Sequence, residues 1–251
     1  MINYIKAELY RNFNRVYFWG YTFGIAAFAL LANILLKIST VSENAISLVE
    51  LIEISTHMLI LPIFLIPAIV EMVTAEENKN LTSKNIISFG VSRNKFVLSK
   101  IATSVILSIV AAVIILTLFF GSGTLLFGIG KGFSTSLVIN FIKRLLVSTL
   151  LWISSISICT FLALAINNTN TFGFTYAIIF VAFSKVIKLL SAFVSDKFQY
   201  IYDILISTQI NKLSTSELTN STLIYAALIG IVYTIVFTVL TMIYVKNKEI
   251  K

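Results

Sequence analysis

The side chains able to do chemistry are few in this sequence, and none are spaced for it. There is one histidine, His57, and one cysteine, Cys159. A metal centre needs at least three good ligands, and no His/Cys/Asp/Glu cluster at ligand spacing accompanies His57, which reads as a polar residue at the end of an apolar run. Cys159 sits inside an apolar block, has no partner for an intrachain disulfide, and reads as a small apolar filler. Glu76-Glu77 would open the E-E-x-x-x-R motif of intramembrane proteases. The Arg position holds Leu81, however, and the histidines of that chemistry are missing. A phosphate-binding loop would read G-x-x-x-x-G-K-[ST]. The nearest approach, Gly130-Lys131, is followed by Gly132, and Leu125 stands where the first glycine belongs. The chain is therefore expected to hold no catalytic residues, no metal and no cofactor of its own.

The elements around these residues belong to a membrane. The 251 residues are 58% hydrophobic and 12% charged, with a mean hydropathy of +0.95. A soluble domain is about a quarter charged, so the balance is that of a multi-span membrane protein. Two prolines and ten glycines, with apolar residues in unbroken blocks, favour helices over a β-barrel. The net charge of +8 matches basic loops beside a membrane better than nucleic acid, since no separate soluble domain is present to bind one. The expected fold is a single all-α membrane domain over residues 1–251, with six transmembrane helices near 16–36, 57–73, 101–121, 145–166, 172–194 and 222–245. The second is the shortest and carries Pro62 and Pro67, read as a structural kink. Before the first span, Ile2, Ile5, Leu9, Phe13 and Val16 recur at helical spacing, with Lys6, Glu8, Arg11 and Arg15 elsewhere on the wheel. Residues 1–15 are thus expected to form an interfacial amphipathic helix.

Arg11 and Arg15 precede the first span, and Glu43, Glu50 and Glu53 follow it, which sets both termini inside (N-in/C-in). The inner segments 1–15, 74–100, 167–171 and 246–251 then hold eleven of the nineteen basic residues, Lys251 among them. On the outside lie an acidic segment 37–56, a glycine-rich segment 122–144 around a basic patch, and a half-apolar, broken segment 195–221. The charges expected within spans are Glu71, near the inner end of the second, and Lys185 and Lys188, in the outer half of the fifth. Ionisable residues at such depth mark a possible translocation path, although both lysines can also snorkel to the interface. Proton coupling needs acidic residues in mid-span, and the first, third, fourth and sixth spans have none.

The longest polar stretch, Thr74–Lys100, separates the second and third spans. Within it Leu81, Ile86, Ile87 and Phe89 supply an apolar patch, Thr82 or Ser83 can cap a short helix, Gly90 permits the left-handed turn that ends it, and Ser92 can cap the next span. An apolar patch on a polar hinge has no reason to face water. With no site elsewhere, this is where energy could enter the chain.

The sequence of an amphipathic N-terminal helix, six spans, Glu76-Glu77, a short helix to Phe89, then Gly90-Val91-Ser92-Arg93 and Lys100 resembles the ABC-2 type permeases, the membrane subunits of type-2 ABC exporters. The resemblance implies that residues 3–15 are the connecting helix, that 74–100 is the cytoplasmic coupling segment, and that 195–221 are outer re-entrant helices. It implies coupling to an ATP-binding cassette subunit through Glu76, Glu77, Leu81, Ile86, Ile87, Phe89, Gly90 and Arg93, with ATP and Mg on that partner, and a second permease copy, identical or paralogous. Small chains of this size resemble permeases for antimicrobial-peptide immunity or export of amphipathic peptide toxins in the bacterial cytoplasmic membrane. The alternatives are a non-transporting membrane scaffold or sensor, in which 74–100 binds a signalling partner, and an ion-coupled transporter using Glu71 and Lys185.

Overall fold

The computed structural model describes residues 1–39, 46–79, 83–88, 90–215 and 218–248, and these form helices and connections with no strand among them. Glu43, Leu81, Thr82, Phe89 and Lys251, which the sequence singles out, lie outside the described residues. The first helix is α1 (Ile2–Phe13). Five helices long and apolar enough to cross a membrane follow: α2 (Val16–Ser39), α7 (Arg93–Phe127), α8 (Thr135–Ala165), the run Thr169–Phe193, and α13 (Asn220–Asn247). A sixth candidate is a bent pair. Here α3 (Leu48–His57) meets the run Leu61–Lys79 at 66°. That run contains α4 (Leu61–Val70), a π turn (Glu71–Ala75) and α5 (Glu76–Lys79). The protein is thus an all-α membrane protein. The end that carries α1 is called basal here, and the opposite end distal.

The helices outrun the apolar blocks. The third span is expected at 101–121 but α7 has 35 residues, and the fourth, expected from 145, starts at Thr135. At 1.5 Å per residue α7 is about 52 Å long against about 30 Å of hydrocarbon, so its polar first turns are helix outside the apolar layer. Helix starts follow local chemistry instead: Ser134 Oγ accepts from the Leu137 amide at 3.3 Å. Residues 48–56, expected in an acidic connection, are also helical, as part of α3, because Ser47 and Glu50 make a reciprocal capping box that satisfies the first amides.

The second span bends where proline dictates. Pro62 falls in the first turn of α4, where a missing amide costs nothing, and the chain turns just before it. Trp152 of α8 donates Nε1–H to the Leu59 carbonyl at 3.1 Å and holds that turn. Pro67, inside α4, cannot donate to the Ile63 carbonyl. The buried Tyr176 hydroxyl donates to it instead at 3.0 Å. The kink expected from the prolines is therefore satisfied across helices.

Helix α8 forms the centre. Its Leu151, Ile156, Cys159 and Ala163 are fully or almost fully buried against Ile63 and Val70 of the second span, Phe172 and Tyr176 of the fifth and Ala226 of α13. The fifth span consists of α9 (Thr169–Ala177), a π turn (Ile178–Phe183) and α10 (Ser184–Phe193). Segment 195–221 contains two short helices, α11 (Lys197–Ile204) and α12 (Ile206–Thr215), and α12 buries Ile206, Ile210 and Leu213 against the bundle. Most of the side-chain surface of α2, of the fifth span and of α13 faces outward and apolar, including Phe28, Phe174 and Val232.

Helix α13 packs tightly on the backbone of α8 at Gly230, where an added Cβ would lie 3.0 Å from the Leu150 carbonyl carbon. Backbone cannot yield as a side chain tip can. Gly230→Leu is expected to lower stability by about 1–3 kcal/mol through overpacking, read as an earlier loss of the monodisperse species on heating in detergent. Gly20, with nothing within 4 Å of an added Cβ, should accept the same change without loss.

Candidate functional site

At the basal end α1 turns Glu8 and Asn12 inward. Glu8 is 4% exposed and Asn12 is fully buried, while Ile2 of the apolar stripe is 66% exposed. A buried carboxylate needs a cation, and Lys100, on the second turn of α7, supplies it. Its ammonium is fully buried and lies 3.0 Å from Glu8 Oε2 and 2.5 Å from Glu77 Oε2, and it donates to the Val73 carbonyl at 2.9 Å. An ammonium has three protons, and three acceptors surround it. The rings of Tyr4 and Phe96 stand 5.6 and 5.5 Å from the nitrogen and add their π faces. Arg11 closes the cluster with Nη2 on Glu8 Oε2 at 2.7 Å and Nη1 on Glu77 Oε1. Burial opposes the Arg11 charge, but Glu77 and then Glu8 outweigh it and raise its pKa. Burial, with the same carboxylates, raises the Tyr4 hydroxyl and keeps it protonated. Two anions and two cations thus balance, with Lys100 shut off from water and Arg11 at the rim.

The acceptors lie where they do because of the π turn at Glu71–Ala75, which contains Val73. A π turn widens the helix and turns a carbonyl away from its usual amide. The next residue outward, Asn78, binds a second helix end. Its Nδ2 donates to the Ala163 carbonyl at 2.9 Å and its Oδ1 accepts from Lys248 Nζ at 3.1 Å, while Lys248 also donates to Leu164 at 2.8 Å. These carbonyls end α8, where a helix leaves its last acceptors unpaired and favours cations. Burial lowers the Lys248 pKa. On the other side of the hinge, Arg93 Nη1 donates to the Val245 carbonyl at 2.9 Å and to that of Lys246, capping α13.

Between these anchors lies α6 (Ser83–Ser88). Gly90 ends it with φ of +88°, the left-handed conformation expected for it, and its amide donates to the Ile87 carbonyl at 3.0 Å. Ser92 takes the N-cap position of α7 without a side-chain cap bond. Ile86 turns inward onto the group of Phe96, Val97 and Val245, whereas Ile87 is half-exposed and outside that group. Glu77, 6% exposed, faces the charge cluster, and Glu76 pairs with Arg15. The hinge is therefore not the solvated linker that its composition suggests. Its polar ends are helical and largely buried.

The structure does not bring Glu71, Lys185 and Lys188 together. Glu71 lines a basal cleft of about 540 Å³ with Arg15, Tyr17, Glu76, Lys79 and Thr169. Lys185 lies sixteen residues beyond Thr169 on the fifth span, roughly 24 Å along the helix, and both lysines are exposed on the surface of α10. No pair exists for ion coupling through Glu71 and Lys185. Among the described residues no His, Cys, Asp or Glu side chains group to hold a metal.

The family model for ABC-2 family transporter proteins matches residues 4–184, from α1 through the whole hinge and four spans into the fifth, as far as the first residue of α10. The chain belongs to the ABC-2 transporter family. No curated protein matches it. This places the chain as the permease subunit of an ABC transporter, a multi-pass protein of the cell membrane whose family works with an ATP-binding partner. In this ABC-2 permease, Glu8, Asn78, Lys100 and Lys248 join residues far apart in the sequence. The i, i+3 pair Glu8 and Arg11 was the one local signal available.

Removing one member of a buried ionic group leaves its partners uncompensated, at a cost of about 3–5 kcal/mol. Lys100→Met and Glu77→Gln are each expected to destabilise the permease by this amount in a thermal melt. The double variant should fall short of the sum by about 0.5–3 kcal/mol. Strict additivity would mean that the two do not act as one unit.

Proposed function

We propose that this ABC-2 permease exports amphipathic peptides, antimicrobial peptides among them, or other hydrophobic molecules, with its basal end in the cytoplasm. In this reading α6 is the coupling helix on which the ATP-binding subunit acts, and a second permease copy, identical or paralogous, completes the transporter. The supporting observation is that α6 is bracketed by anchors: Glu77 on α1 and α7, Asn78 on the end of α8, and Arg93 on the end of α13. A push on α6 therefore reaches four helices as one body. The orientation is supported by Arg11, Arg15, Lys79, Arg93, Lys95, Lys100 and Lys248 standing on basal elements. The outward apolar surfaces of α2, the fifth span and α13 suit both lipid and a second permease. Glu71, in the basal cleft, and Lys185 and Lys188, on α10, are taken as points on the translocation path.

Docking of α6 and transmission through its anchors separate by mutation. Ile87→Asp places a charge on the docking face without touching the buried cluster, and is expected to lower co-purification of the ATP-binding subunit about tenfold or more. Arg93→Gln should leave the complex assembled and reduce substrate-stimulated ATP hydrolysis. Full co-purification and full transport with Ile87→Asp would remove α6 from the coupling role.

A further inference from the structure

The distal end carries a polar cavity that lies apart from α6 and the basal charge cluster. It measures about 540 Å³ and is walled by α3, the first turns of α8 and the end of α12. Glu53 and His57 stand one helical turn apart on α3, and Asn140 and Arg144 one turn apart on α8, around Phe141, which is buried. The Arg144 guanidinium donates to the Leu213 carbonyl of α12, which fixes its position on the wall. The cavity therefore offers a guanidinium from α8 for an anion, with an imidazole from α3 beside it, and a carboxylate from α3 for a cation.

Its depth narrows the ligand. With 31 residues, α8 is about 46 Å long, close to the 40–45 Å of a bilayer with its headgroups. Centred on the hydrocarbon, α8 carries Asn140 at the headgroup boundary and Arg144 one turn inside it. The charge at this end points the same way. Lys131, in the connection before α8, and Lys143, next to Arg144 in the sequence, are exposed at this end, on the side of the membrane where basic residues are normally sparse.

We propose that this cavity holds the headgroup of an outer-leaflet lipid, a phosphodiester that carries an amine, with the phosphate on Arg144 and His57 and the ammonium on Glu53. The leaflet rests on the orientation proposed above. A headgroup held there bridges α3, α8 and α12, and so ties the distal end of the bent second span to the centre of the bundle.

The test is native mass spectrometry of the full-length chain released from nanodiscs, with phosphatidylethanolamine, phosphatidylglycerol and diacylglycerol compared, and soluble glycerophosphoethanolamine as a further arm. One phosphatidylethanolamine per chain is expected, retained about tenfold over phosphatidylglycerol and more over diacylglycerol. Glu53→Gln should erase the preference for the amine, and Ser136→Trp, which fills the cavity from α8 without removing a charge, should abolish retention. Equal retention of all three lipids, or no change in both variants, overturns the proposal. Equal binding of the soluble phosphodiester overturns its assignment to a lipid. A membrane-impermeant maleimide should label Ser136→Cys on intact cells. Labelling only after permeabilisation overturns the orientation and the leaflet together, whereas outside labelling without lipid preference overturns the headgroup site alone.

Discussion

A lysine with no exposed surface sets the terms for the basal end. Lys100 can stay charged there only if each of its three protons finds an acceptor, and those acceptors come from three different pieces of chain: Glu8 of α1, Val73 of the π turn and Glu77 of α5. None can be replaced by water in a site that excludes it. The position of α1 is thus not left to its weak amphipathic pull on the membrane surface. It is bound by ionic contacts whose loss would strand a charge, which is a far larger penalty than the net gain from any one of them. The same logic explains why Glu8 of α1 faces the protein while Ile2 faces outward.

Departures from a regular helix recur where the bundle needs a carbonyl. Pro67 releases the Ile63 carbonyl, and Tyr176 takes it. The π turn at Glu71–Ala75 presents Val73, and Lys100 takes it. In hydrocarbon a freed backbone group has no water to fall back on, so side chains from neighbouring helices answer these irregularities of the second span, while at the π turn of the fifth span Ser184 of the same span donates to the Phe180 and Val181 carbonyls. The second span is irregular at three points and is correspondingly the most cross-linked: α2 reaches it through Tyr21 on the Leu65 carbonyl at 2.6 Å, α8 through Trp152, and α9 through Tyr176.

The architecture was legible because long apolar blocks report on the membrane whatever their neighbours do. Helix ends were less so. Hydropathy ends where hydrocarbon ends, whereas the α-helix at Arg93 or Thr135 continues as long as its amides are paired. The capping pattern Ser47-Leu-Val-Glu50 was in the sequence and marks α3 correctly, but its acidic surroundings read as a connection. Position 90 was readable, since a glycine closing a short helix implies a positive φ. The charge cluster was not. Glu77 and Lys100 have the composition of a solvated hinge, and only tertiary pairing, with Arg11 sixty-six residues away from Glu77, takes them out of water. That Ile86 packs on the bundle was hidden for the same reason, because a local patch does not say which of its members the bundle will claim.

The anchors around α6 differ in strength, and the difference gives the basal end a direction in which it yields. The Lys100 cluster is buried, and the Asn78 and Arg93 contacts hold backbone carbonyls at helix ends. The Arg15–Glu76 pair is half-exposed, with side chains 35% and 46% accessible, and ion pairs of that kind contribute only about 0–1 kcal/mol. It is also a wall of the cleft that contains Glu71. In the proposed coupling role of α6, a force that meets the buried cluster finds it rigid, and the Arg15–Glu76 pair is the polar contact that yields first. That contact coincides with the mouth of the basal cleft. Separating it would widen the cleft without breaking any buried charge pair.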